Sequence, residues 1–404
     1  MTPTPAGFPQ AERAAREAYG RLVAWLAWQW RDVAAAEDAM GEAFVAALEH
    51  WPRDGVPAAP EAWLLTAARR QLQMRHRRDR LAQSPQVLAV LAQAPWADEA
   101  PSIPDRRLQL LCACVHPAVP EALHAPLMMQ VVLGLSAQTI ARAFLESPAA
   151  LAQRLVRAKV RLRDAGGAFE LPDADELPQR LNALCEALYG AYTVGSELAS
   201  PAPEADAALC DEALFLTALA ARLQPQHAEV HGLLALMLHA QARRPAQFDA
   251  AGAFVPLMQQ DTARWSCELM QQGEAALRHA AALRTPGPFQ IEAAIQSAHN
   301  QRAYTGQTPW AAIAELYALL AAQSGAVGAR IGQAVAVCEA GDAPGALRLL
   351  DGVPPAAVTT YQPYWVARAH LLHRAERGGE ADAARERAIG LTADPRVRQF
   401  LAKG

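Results

Sequence analysis

This chain lacks what would make it a membrane protein, a disulfide scaffold or a blanket polycation. No apolar run approaches the roughly 18 residues of a membrane span. The six cysteines, Cys112, Cys114, Cys185, Cys210, Cys267 and Cys338, are scattered through helical patterns without a regular framework. Reduced, mostly buried thiols are expected. Cys112 and Cys114 would point about 200° apart on a helix. No second ligand pair lies near them, so no metal site is assigned. The opening MTPTPAGFPQ is polar and Pro-rich, unlike a secretory signal, and a cytoplasmic location is expected. Charged residues are only 19 % and the formal net charge is −4, so any useful positive charge has to be local.

What the chain does have is Ala- and Leu-rich amphipathic sequence, with hydrophobic residues at 52 %. Its length leaves room for roughly two to four domains, each with its own core. The periodicity is helical throughout, and the expected fold class is all-α.

The most informative stretch is Gly134 to Arg163, GLSAQTIARAFLESPAALAQRLVRAKVRLR. Gly134 can take the left-handed conformation that closes a preceding helix. Ser136 stands where an N-cap belongs, and Ile140, Ala141 and Phe144 share one apolar face. Ser147-Pro148 restarts a helix, with Ser147 as cap and Pro148 at the first helical position. Leu151, Leu155 and Ala158 form its buried stripe. Gln153, Arg154, Arg157, Lys159, Arg161 and Arg163 form its polar face. A second helix carrying cations beside residues able to read base edges is the helix-turn-helix arrangement for the major groove. The plainer alternative is a packing helix whose arginines are solvated.

Ahead of it, helices are expected over Glu12–Trp30, Val33–Trp51 and Glu61–Leu81. The second carries Ala39, Met40, Ala43, Phe44, Ala47 and Leu48 on its apolar side and Asp32, Glu37, Asp38 and Glu42 at its start and outer face. Acids there suit the helix dipole, or offer a surface to a basic helical partner. The third carries Arg69, Arg70, Arg75, Arg77, Arg78 and Arg80 behind a loop, Pro52–Pro60, with turn chemistry. Such a helix can track a phosphate backbone. Its charge could equally be solvated, or neutralised by the acidic helix. Pro-rich or acidic segments at 82–104 and 168–179 read as linkers, giving divisions at 1–81, 105–167 and 180–404. The last is a run of helix pairs, in which Ala340–Ala346 and Gly378–Ala384 match at an offset of 38. His227 and His231, four apart on a helix, have no evident third metal ligand. No complete catalytic constellation and no cofactor site is found.

These segments carry a resemblance. AAAEDAMGEAFVAALEHWPRDGVP, AWLLTAARR, IPDRRLQLLCACVHPAV and the Gly134–Arg163 stretch resemble an extracytoplasmic-function sigma factor of the sigma-70 family. EVHGLLALMLHAQAR, QQDTARW, TPGPFQIEAAI and QAVAVCEAGDAPGALRLLD resemble the subgroup with a long tetratricopeptide-like extension. The resemblance implies a sigma region 2 in 1–81 and a region 4 helix-turn-helix in 105–167. It implies that Asp32, Glu37, Asp38, Glu42 and Phe44 meet the clamp helices of the largest subunit of core RNA polymerase, with region 4 at the flap. Arg69, Arg70, Gln71, Arg75, Arg77 and Arg78, with the Arg53–Pro60 loop, would take the downstream promoter element. Gln153, Val156 and Arg157 would read upstream bases, while Arg154, Lys159 and Arg161 hold phosphates. The chain itself would catalyse nothing.

The extension departs from the family pattern. Leu188-Tyr189-Gly190-Ala191-Tyr192 stands for Phe-Asn-Glu-Gly-Tyr, Met258-Gln259-Gln260-Asp261-Thr262 for Glu-Asp-Gln-Asp-Arg, and Gly332-Gln333 for Asn-Arg. These losses imply an extension, open to a protein or ligand partner, that answers a different signal or none; Asp261, Arg264 and His239 lining one open groove would count against this, and drift at structural hydrogen-bond positions is the plainer alternative. A conventional helix-turn-helix regulator with a repeat-built sensor is the alternative. It leaves the Glu37–Phe44 helix and the Arg-rich helix unexplained.

Overall fold

The computed structural model describes residues 8–81, 105–144, 147–165, 169–196, 203–392 and 394–402. Among them there is no β-strand, and one isolated bridge joins Phe248 to Phe254. Five cysteines are buried, but Cys267 is exposed at the first turn of a helix. No described helix is long and apolar enough to cross a membrane. The chain divides into two compact units, Met1–Val194 and Gly195–Gly404.

The first unit begins with α1 (Phe8–Trp30), α2 (Val33–Asp54) and α3 (Pro60–Leu81). Asp32 caps α2, its Oδ1 accepting from the Ala35 N–H at 3.0 Å. Ala39, Met40, Ala43 and Ala47 are buried on α2, whereas Leu48 is exposed. Leu64, Leu65, Ala68 and Leu72 line the buried side of α3. Trp63 of α3 packs edge-on against Trp51, and Arg21 of α1 pairs with Glu61.

Then follow α4 (Arg107–Cys114), α5 (His124–Leu133), α6 (Ala137–Ala143), α7 (Pro148–Asp164) and α8 (Leu177–Ser196). Helices α4 and α5 lie directly on α1. At Gly20 the approach is so close that a Cβ would sit 2.3 Å from the Val132 carbonyl oxygen. The Arg106 guanidinium lies 4.2 Å above the Trp28 ring. The segment read as the second linker is anchored: Phe169 is buried, and Arg180 of α8 donates to the Cys112 carbonyl at 3.2 Å.

The second unit runs α9 (Pro203–Leu223), α10 (Ala228–Arg243), α11 (Cys267–Ala282), α12 (Pro288–Asn300), α13 (Arg302–Thr305), α14 (Trp310–Ser324), α15 (Val327–Glu339), α16 (Ala343–Asp351), α17 (Pro355–Val358), α18 (Gln362–Arg374), α19 (Gly378–Gly390) and α20 (Pro395–Ala402). Helix α10 is the hub, packed by α9, α11 and α12. Glu229 accepts from the N–H groups of Phe289 and Gln290 at the start of α12, an acid on a helix N-terminus. A second core joins α15, α16, α18 and α19 through Ile331, Ala334, Leu350, Leu371 and Leu372.

The helix-pair repeat has a different register from the one the sequence suggests. The backbone bonds Ala340→Ala336, Gly341→Cys338 and Asp342→Val337 recur as Ala375→Leu371, Glu376→His373 and Arg377→Leu372, a shift of 35. The left-handed slot held by Gly341 is filled by Glu376. The composition match at 38 therefore follows small residues, not the turn.

A polar chain is buried beside α10. The Asn300 amide donates to His239 Nδ1 at 2.9 Å, and Arg243 donates to the Asn300 oxygen at 2.7 Å and to Gln296. The other ring nitrogen of His239 lies 3.6 Å from Glu274. Burial pushes the pKa of His239 down to about 4, against the opposing pull of Glu274. Burial, aided by Arg243 and Arg302, does the same to His299, also to about 4. An unfolded histidine takes its proton near pH 6.5. The stability these neutral rings confer is complete above that pH and is lost as pH falls from 6.5 towards 4. At pH 5 the loss is on the order of 2 kcal/mol per histidine. Denaturant midpoints at pH 7 and pH 5 are expected to show it, and His239→Gln should flatten part of the difference.

Candidate nucleic-acid interface

Helix α5 ends at Gly134, whose φ of 69° is left-handed. Its N–H and that of Leu135 reach back to the carbonyls of Gln130 and Met129. Ser136 then caps α6, accepting from the Thr139 N–H at 3.1 Å. Ser147 occupies the extended N-cap position of α7 but makes no side-chain capping bond, and Pro148 follows at the first turn. Leu151, Leu155, Ala158 and Leu162 are the buried stripe of α7, which packs on α6. Phe144 is half-buried, while Ile140 and Ala141 are buried.

The outer face of α7 presents Gln153, Val156, Arg157 and Arg161 to solvent. Val156 is 59 % exposed, a β-branched apolar side chain turned largely to solvent. Arg157 donates weakly to the Gln153 carbonyl, and Arg154 is half-buried. Lys159 does not belong to this face. Its Nζ lies 2.6 Å from Glu37 of α2, with the two side chains only 10 % and 12 % exposed. Burial raises the Glu37 pKa, and the lysine only partly offsets that. Next along α7, Arg163 lies 3.9 Å from Asp32.

The other acids of α2 are also engaged. Arg75 of α3 donates to Asp38 at 2.9 Å and to Glu42 at 3.4 Å. For Arg75, neutralisation by the acidic helix is therefore what the structure has. Arg69 stands 4.1 Å over the Trp25 ring, and burial lowers its pKa. Arg70 is exposed and Gln71 half-buried, while the side chains of Arg77, Arg78 and Arg80 lie outside the described residues. Phe44 stacks on Tyr19 at 6.1 Å. The loop ahead of α3 is open, with Arg53, Asp54, Gly55 and Val56 exposed.

Tyr19 is the residue the sequence reading missed. It meets Phe44, underlies Gly134, and its hydroxyl is held protonated by burial and by nearby Glu37 and Asp38. Its position on an amphipathic helix signals burial and nothing more. The Glu37–Lys159 pair spans 122 residues, beyond any local pattern.

In the second unit Asp261, Arg264 and His239 do not line one open groove. Asp261 caps a short turn at Ala263, Arg264 is exposed and bonds the carbonyls of Phe248 and Pro245, and His239 is fully buried. His227 caps α10, and His231 packs 4.2 Å from the His279 ring. Among the described residues no group of three or more His, Cys, Asp or Glu could hold a metal ion.

Residues 16–81 match sigma-70 region 2, and residues 180–281 match a family of unknown function, DUF6596. Over 379 residues the chain is 35 % identical to an uncharacterized protein of Rhizobium meliloti (strain 1021), spanning 92 % of this chain and 89 % of that one. No solved structure matches it. Helices α1 to α3 thus form a sigma-70 region 2 domain, the part of a sigma factor that binds core RNA polymerase. The chain as a whole belongs to the same family as the Rhizobium meliloti protein.

A side chain at position 134 would meet the Tyr19 ring at 3.0 Å while being forced into the left-handed region. Gly134→Ala is expected to destabilise the first unit by about 1–2 kcal/mol, read as a shift of the denaturation midpoint.

Proposed function

We propose that this protein is an alternative sigma factor of the extracytoplasmic-function type that directs core RNA polymerase to specific promoters. The observation that carries the reading is the conjunction, in one compact unit, of a sigma-70 region 2 domain with a helix pair whose second helix turns Gln153, Val156, Arg157 and Arg161 outward. In this reading residues 105–167 are region 4 and the α6–α7 pair is its helix-turn-helix. Gln153, Val156 and Arg157 read upstream bases, and Arg154 and Arg161 contact phosphates. Arg69, Arg70, Gln71, Arg77 and Arg78, with the open loop before α3, take the downstream element, and Arg75 would join them only by leaving Asp38 and Glu42. Asp32, Glu37, Asp38, Glu42 and Phe44 form the surface for the polymerase clamp helices, and region 4 meets the flap. Polymerisation chemistry belongs to the polymerase.

The second unit reads as a tetratricopeptide-like extension. Support comes from the conserved turn geometry at a spacing of 35, close to the period of about 34 typical of such repeats. Its role is to bind a protein or small ligand, or to regulate the sigma half.

The test is run-off transcription with core polymerase on pooled promoter fragments, using the full chain and a chain ending at Val194. The cut falls there because Phe169 and Arg180 are part of the first unit's packing. Promoter-specific transcripts are expected with the full chain. Arg157→Ala should lower them roughly tenfold, the scale of one lost base contact. DNA binding without any core binding would favour a conventional regulator instead.

A further inference from the structure

Helices α9, α10 and α11 leave an open groove of about 620 Å³ between them. Leu234 and Leu238 of α10 form its floor, Leu214 and Phe215 of α9 one wall, and Leu269 and Ala276 of α11 the other. Phe215 is 41 % exposed, so a large aromatic ring is left at the surface. From Leu269 to His279 the α11 wall runs roughly 15 Å, close to three helical turns. The groove lies inside the 180–281 segment, apart from the turns after α15 and α18 that recur at a spacing of 35. Its ends differ in charge. Asp211 and Glu268 are exposed at one end, accepting from Gln241 at 3.0 Å and from Gln272 at 3.2 Å, and they outweigh the half-exposed Arg244. Arg222 and Arg278 are exposed at the other, where the rings of His231 and His279 lie 4.2 Å apart.

We propose that this groove docks an amphipathic helix of another protein, one with apolar residues at i, i+3, i+4 and i+7, acids in its first turn and cations in its last. This deepens, and rests on, the reading of the second unit as a binding extension. A compact ligand would call for an enclosed pocket with polar groups converging on one point. Here the lining is apolar along its length and the charges stand apart at the two ends, which fits an elongated, end-charged partner. A helix laid between α9 and α11 sets its apolar stripe on Leu234 and Leu238 and packs against Phe215. Acids in the first turn and cations in the last are also what the helix dipole favours, so the pattern asked of the partner stabilises it as a helix. Its cations meet Asp211 and Glu268, and its acids meet Arg222 and Arg278. Those contacts lie at the rim, where they select a partner more than they hold it. The affinity comes from the apolar middle.

Two synthetic peptides of about 14 residues, the length of the groove with a turn to spare, serve as probes on the full chain. Both carry leucines at i, i+3, i+4 and i+7. One has glutamates in its first turn and arginines in its last; the other has glutamates at both ends. Fluorescence anisotropy is expected to show the first bound roughly tenfold more tightly than the second. Asp211→Lys combined with Glu268→Lys should reverse that order, and Phe215→Asp should weaken the first peptide roughly tenfold or more. All three positions are exposed, and if one variant does not fold the other decides. Equal binding of the two peptides to the native chain overturns the proposal, as does no binding at all. A peptide bound as tightly by Phe215→Asp as by the native chain sits elsewhere, which overturns this site and leaves the second unit a binding extension. A native dimer that Phe215→Asp dissociates, measured by sedimentation, assigns the groove to a second copy of the chain and overturns a foreign helix as its occupant.

Discussion

Helices α2 to α5 of the first unit are built directly against α1. One side of it supports α2 and α3, the region 2 domain, and another receives α4 and α5. The constraint is tightest at Gly20, where the backbone of α1 meets the Val132 carbonyl with no room for a side chain. Tyr19, one residue earlier, touches Phe44 of α2 and lies under Gly134, the residue that turns the chain into α6. Tyr19 therefore links α2 to the point at which the chain leaves α5 for α6.

Charge in this unit is balanced at short range. Almost every acid at the start of α2 has a cation of the chain beside it, from α3 or from α7. The cations left facing water on α7 are those on the side away from the buried stripe. In the proposed function, the residues offered to bases face solvent while the acids offered to polymerase are already paired within the chain.

The helices themselves were legible because the 3.6-residue apolar repeat is strong in an Ala- and Leu-rich chain. The helices expected over Val33–Trp51 and Glu61–Leu81 are found as Val33–Asp54 and Pro60–Leu81. The caps at Gly134 and Ser136 were legible from residue type, while Asp32, read only as an acid at a helix start, also proved to be a cap. Ser147 shows the limit: a residue type suited to capping marks a helix start without making the bond. The repeat register was missed because its defining feature is a left-handed turn, and in one copy that turn is filled by Glu376, which carries no compositional mark. At the candidate interface the outward residues of α7 follow from periodicity, as does the region 2 segment from its resemblance. The fate of Lys159, Glu37 and Arg75 did not follow, because pairing between helices depends on crossing geometry that one-dimensional spacing does not contain.

The identity of the cation facing Glu37 has a consequence of its own. Elsewhere the chain uses arginine almost without exception, yet the residue set against Glu37 is lysine. An arginine fork would grip a carboxylate through two parallel bonds and would release it only when both had broken. A lysine holds by a compact point charge on a flexible stem and lets go in one step. The Glu37–Lys159 contact is therefore a single-point fastening, one that can part and re-form without breaking a two-pronged grip.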